Sequence, residues 1–206
     1  MRWRITAALF ASMVATGAAQ AQESCTVKHA QPLLPTDPAM CLDLRDAVRA
    51  PSALSLGEYE KTLGKFLRGY CHRDADAGWE RDKSLRDTGP FISIFQDGEW
   101  QGTDHGVHAP VVIWYSPEAA DWIRDNRSEA DVGTGRDAAP MPDGAMLIKE
   151  MYPAPASACA SENPLTLFPK NGAAVMVRDR EASRDGWYWG WFGWEGWTPD
   201  WPADKT

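Results

Sequence analysis

The sequence predicts an α+β fold, with a mostly antiparallel β-sheet preceded by an N-terminal helical segment and interrupted by one inserted helix. Three observations carry this. Two early segments, near 37–49 and 55–71, combine helix-start signals with apolar residues at helical spacing. Downstream, short runs of strand-like composition are separated by Asp-Gly turns at 97–98, 143–144 and 185–186. A Ser-Pro-Glu start at 116–118 places one more helix among them. Helices followed by turn-linked strands are the pattern of an antiparallel α+β sheet.

Residues 1–21 read as a secretory signal peptide. Met1-Arg2-Trp3-Arg4 is followed by the apolar run Ile5–Ala19, and Ala19-Gln20-Ala21 supplies small residues for cleavage after Ala21. The run is too short to span a bilayer. The expected product is a single periplasmic or secreted domain, Gln22–Thr206. Residues 22–37 read as an irregular arm. Asp37 then caps a helix to about Arg49 that buries Met40, Cys41, Leu44 and Val48, and Pro51 ends it. Ser55-Leu56-Gly57-Glu58 is a capping box, and Leu56, Tyr59, Leu63, Phe66, Leu67 and Tyr70 line one face of a helix to Cys71. Arg73–Thr88 reads as charged and turn-like. Strands are expected at Phe91–Phe95, Glu99–Gln101 and Pro110–Tyr115, the last apolar enough to be covered on both faces. The Ser116-capped helix runs to about Arg127 and turns Ala119, Trp122 and Ile123 inward. After a Val132–Pro142 linker come the strand of Asp143–Tyr152, an irregular excursion over Pro153–Lys170, and strands from Ala173 and Trp187.

The chain carries a net charge of −8, and removal of Arg2 and Arg4 with the signal makes it more acidic. It lacks the basic footprint of a nucleic-acid binder, and anionic membrane surfaces are disfavoured. The four cysteines, Cys25, Cys41, Cys71 and Cys159, read in an exported chain as two disulfides with three possible pairings. Cys71 is expected to pair with Cys25 or Cys41. No Cys-x-x-Cys spacing occurs, which excludes a thioredoxin-like motif, a zinc ribbon and the two-thioether haem attachment.

Two stretches carry candidate chemistry. In Asp143–Tyr152, side chains alternate so that Ala145, Leu147, Lys149 and Met151 share a face. Lys149 is then either a snorkelling edge residue or an inward-pointing functional amine. In Gly186–Trp197, Trp187, Trp189 and Trp191 share one face while Tyr188, Gly190 and Phe192 share the other. Glycines among large rings permit close approach of a flat group or another backbone. The stretch reads as a core strand, as a wall for a planar cofactor, or as a stacking platform for sugars. His105 and His108 sit in a loop without a third metal ligand nearby, and Asp179, Glu181 and Asp185 read as a solvated turn. Cys71-His72 ends like a haem-attachment motif, but Arg68 stands at the first-cysteine position, so a disulfide is the simpler use of Cys71.

Three segments in order, Ala109–Asp121, Asp143–Tyr152 and Val175–Phe192, together resemble the cytochrome P-460 family and its relatives among the beta-sheet cytochromes c-prime. The resemblance covers roughly residues 88–201. It implies an exported, sheet-rich haem protein whose five-coordinate iron binds or oxidises a small nitrogenous ligand, hydroxylamine or nitric oxide. Lys149 falls at the position that true P-460 members link to the porphyrin, and Trp187, Trp189 and Trp191 are the candidate wall for such a planar cofactor. The family's C-terminal Cys-x-x-Cys-His segment has no counterpart in this sequence, which stops at Thr206. The chain as written is therefore expected to lack hydroxylamine turnover. The alternative is a disulfide-stabilised exported binding module that stacks a ligand such as a glycan on its tryptophans.

Overall fold

The computed structural model describes residues 30–82, 86–88, 93–96, 98–102, 107–127, 139–152 and 163–193, with backbone alone for 86–88, 93–96, 99–102 and 107–110. Helix α1 spans Pro38–Val48. The Asp37 carboxylate accepts from Met40 N (3.0 Å), and Pro38 stands where a helix has no use for an N–H. Helix α2 spans Leu56–Arg68 and is opened by the Ser55/Glu58 capping box. It stops short of the expected Cys71, because Gly69 closes it and Tyr70 takes a left-handed backbone (φ 54°). Cys71–Arg73 forms a separate 3₁₀ turn. The Cys41–Cys71 disulfide ties that turn to α1, resolving the pairing left open between Cys25 and Cys41. Cys25 and Cys159 lie outside the described residues.

The strands are β1 (Glu80–Arg81), β2 (Arg86–Thr88), β3 (Ser93–Gln96), β4 (Glu99–Gly102), β5 (Val107–Tyr115), β6 (Met146–Met151), β7 (Ala173–Arg178) and β8 (Trp187–Phe192). They form a six-stranded sheet in the order β1-β5-β6-β7-β8, with β2 also paired to β5, and a separate β3–β4 hairpin. Every pairing between these strands is antiparallel, so the α+β expectation holds. Helix α3, Pro117–Asn126, is capped by Ser116 and is the inserted helix. At Asp143-Gly144 the turn into β6 needs a positive φ, which Gly144 supplies (φ 85°).

The sheet has two unlike faces. On the inner face, Tyr59, Leu63, Phe66 and Leu67 of α2 pack against Val112, Trp114, Ile148, Val175, Tyr188 and Phe192 in one buried cluster. Gly190 allows this packing, since a Cβ there would collide with the Tyr188 ring folded over it. On the outer face, α3 covers only one end. Ala119, Ala120 and Ile123 pack with Tyr115 and Ala145, flanked by Ile113 and Leu147. The remainder of that face, including Lys149, Met151, Ala174 and Met176, is half-buried. No described helix is long and apolar enough to cross a membrane.

Candidate functional site

Strand β6 places two charged neighbours on opposite faces. Lys149 is neither an edge residue nor part of the buried core, because β6 is central between β5 and β7 and Lys149 sits half-buried on the outer face. The inward charge is Glu150, fully buried beside Met146 and Ile148. The sequence left Lys149 open between an edge residue and an inward-pointing amine, and did not single out Glu150 as the charge that enters the helix-side core. Alternation along the strand decides which of the two faces the core.

On the outer face the sheet register aligns Ile113, Lys149, Ala174 and Trp191 in one row, and Tyr115, Leu147, Met176 and Trp189 in the next. Lys149 and Trp191 lie two strands apart, about 10 Å at ordinary strand spacing, with only the Ala174 methyl between them. The three tryptophans share this face. Trp187 and Trp189 are 6.1 Å apart at a 45° tilt, and Arg178 lies 5.6 Å over Trp187. Trp189 is 42% exposed, and its indole N–H donates to Asp185 Oδ2 (3.0 Å), so the ring is held while its surface stays open. The Trp191 ring lies over Gly172, where an added Cβ would come within 3.1 Å of it. Tyr188 and Phe192 are buried, so the predicted division of this strand into two faces is the one observed.

The inner face holds a polar cluster that the sequence reading did not single out. Glu150 Oε1 accepts from His72 Nε2 and Arg73 Nε (both 2.8 Å), and Oε2 accepts from Trp114 Nε1 (2.8 Å) and the Tyr152 hydroxyl (2.7 Å). Burial alone would raise the Glu150 carboxyl, but the Arg73 charge and the His72 and Tyr152 donors overcome it and hold it at about 2. Burial pushes His72 down against the pull of Glu150, so the imidazole is neutral and donates through Nε2. Its Nδ1 has no hydrogen-bond partner among the described residues. Burial and the Glu150 charge push the Tyr152 hydroxyl well up.

Arg73, at the head of the stretch read as charged and turn-like, is 2% exposed. It donates to Leu33 O, Leu165 O, Leu167 O and the Tyr152 hydroxyl besides Glu150. The expected solvated turn of Asp179, Glu181 and Asp185 is also corrected. Asp179 is buried and accepts from Ser52 N (2.8 Å) and Glu181 N (3.0 Å), while Glu181 and Asp185 are exposed. A signal for the inner cluster did exist. Glu150 follows Met146 and Ile148 at strand period, and an acid on an apolar face requires buried donors. His72 and Arg73 are adjacent to a disulfide cysteine, the kind of position that is buried with it.

Chemically, the two sites differ. The cluster has a carboxylate with all four hydrogen bonds made, which orients and stabilises but offers no open group. The outer face carries Lys149, the thioethers of Met151 and Met176 and the three tryptophans, with the small Ala174 between Lys149 and Trp191. His105 lies outside the described residues and the side chain of His108 is not described. Among the described residues no group of His, Cys, Asp and Glu could hold a metal ion. The fold and its two faces thus define an α+β protein with an aromatic platform on one side of its sheet and an ionic core on the other. Comparison with protein-family models, curated proteins and solved structures found no match to this chain.

Proposed function

We propose that the chain is an exported, cytochrome P-460-like domain whose outer sheet face receives a flat, largely apolar ligand beside the Lys149 amine. The row Ile113–Lys149–Ala174–Trp191 carries this reading. It provides a notch floored by one methyl, with an amine on one side, an indole on the other, and Met176 and Trp189 extending the surface. A planar body loses water on such a ledge, and the lysine stem adds apolar contact while its charge orients a polar edge.

A haem is the planar group the resemblance implies, and the fit is partial. The ledge suits a macrocycle. The described side chains on it include no imidazole or thiolate, however. His72 donates to Glu150 behind the sheet, and Cys41 and Cys71 are spent on their disulfide. The described donors therefore do not hold haem iron, and the chain is proposed to bind the flat body without oxidising hydroxylamine. A second reading, glycan stacking, draws on the 42% exposure of the pinned Trp189 ring.

The test is to titrate the purified chain with hemin, metal-free protoporphyrin and short glucan or chitin oligomers, following tryptophan fluorescence and thermal midpoint. Both porphyrins should quench fluorescence and raise the midpoint to similar extents, since a ligand selective for the folded state stabilises it. A response to oligosaccharides alone would favour the glycan reading. No response to any of them would sink both.

A further inference from the structure

We propose a second binding site, on the helix side of the sheet, for a small organic carboxylate with an apolar body. A cleft of about 830 Å³ opens beside the Arg73–Glu150 cluster, within the roughly 300–1,000 Å³ range of small-molecule sites. Leu34, Pro35, Pro38 and Leu165 make its apolar wall, and the rings of Trp79 and Trp114 line it more deeply. Leu34 is 42% exposed, so this wall presents apolar surface that a ligand would remove from water.

The polar groups set the ligand's charge. Arg73 borders the cleft but has no donor to spare, since all its N–H groups serve Glu150, Tyr152 and three carbonyls. The Trp114 N–H is likewise committed to Glu150. Two donors remain. Trp79 is 6% exposed, and its indole N–H donates to no described residue. Arg81 is half-buried on the cleft, paired to Trp114 through its backbone in the sheet, and among the described residues its guanidinium has no hydrogen bond or ion pair. An N–H and a guanidinium on one apolar cleft match a carboxylate, which accepts from both. The acids nearby do not reverse this. Asp74 and Asp76 also line the cleft, but Asp74 Oδ1 is taken by its own turn, accepting from Asp76 N (3.1 Å) and Ala77 N (3.2 Å), and Asp76 is exposed, where water screens its charge.

The experiment is an NMR titration of the ¹⁵N-labelled chain with phenylacetate and, separately, phenethylamine, the Trp79 indole signal being assigned with Trp79→Phe. Phenylacetate should move that signal saturably, and phenethylamine should not. Arg81→Gln should keep the thermal midpoint and weaken phenylacetate about tenfold, the effect of one charge-assisted hydrogen bond. The proposal is overturned if phenylacetate leaves the Trp79 signal still at millimolar concentration. It is equally overturned if the amine binds as well as the acid, or if Arg81→Gln binds phenylacetate unchanged. Because the outer-face tests use porphyrins and sugars, failure here leaves the proposal for Lys149 and its tryptophans intact.

Discussion

Lys149 and Glu150 are neighbours in one strand, yet they occupy opposite physical regimes. Glu150 is fully buried and accepts four hydrogen bonds, two of them from His72 and Arg73. Lys149 lies half-buried on an apolar ledge that α3 covers only at one end. The difference separates the face that holds the fold together from the face proposed to bind a ligand. A buried carboxylate exists only because its donors are fixed around it, so the inner face is a structural lock. The outer face carries Lys149 beside aromatic surface that includes the 42% exposed Trp189, and it is the face proposed above to receive a ligand.

Removing either partner of the lock should have the largest effect. Glu150→Ala leaves the Arg73 charge buried without its carboxylate and is expected to cost about 3–5 kcal/mol. Lys149→Ala should cost less than about 1 kcal/mol. Urea denaturation of the two variants measures the contrast directly, and equal losses would break it.

The disulfide comes next. Cys41 and Cys71 are separated by 30 residues in the chain, and replacing both with alanine should cost roughly 3–4 kcal/mol in the chain-entropy account. Thermal unfolding of the double variant measures the loss. Cys25 and Cys159 are intact in that variant, so their contribution does not enter.

Acid should loosen the inner face in two stages. The folded His72 has a lowered pKa, so the unfolded chain binds its proton first, and stability falls as pH drops below about 6.5. Glu150, held at about 2 against an ordinary 4.5, then loses a contribution on the order of 3 kcal/mol as pH falls through that interval. Unfolding free energies between pH 7 and pH 3 should therefore decline, with the Glu150 stage lost in Glu150→Gln. The smallest effect on stability belongs to the platform. Trp189→Ala removes a ring that is 42% exposed and should shift stability by less than about 1 kcal/mol.

The elements were largely legible in the sequence because local chemistry dictates them. Asp37, Ser55 and Ser116 each cap the helix that their positions announce. The division of β8 into Trp187, Trp189 and Trp191 against Tyr188 and Phe192 follows from strand period alone. The end of α2 was misplaced because apolar spacing continues through Tyr70, while the backbone turns left-handed at that residue. The lock was hidden for another reason. His72 and Glu150 are separated by 78 residues, and Arg73 reads as a surface charge until the carboxylate and carbonyls that surround it are brought together by the fold. A lysine drew attention on β6, whereas tertiary packing put the acid beside it in the core. Of the candidate site, strand period put the three tryptophans of β8 on one face, whereas the acid that β6 turns into the core was not singled out.

The most direct test of the account is porphyrin binding to three chains side by side: wild type, Trp189→Ala and Lys149→Ala. Tryptophan quenching is read together with thermal midpoint. The account predicts that both variants keep a midpoint close to wild type and that each binds protoporphyrin more weakly. Unchanged binding in both variants, or a midpoint that collapses with Lys149→Ala, would contradict the assignment of the outer face to function and the inner face to stability.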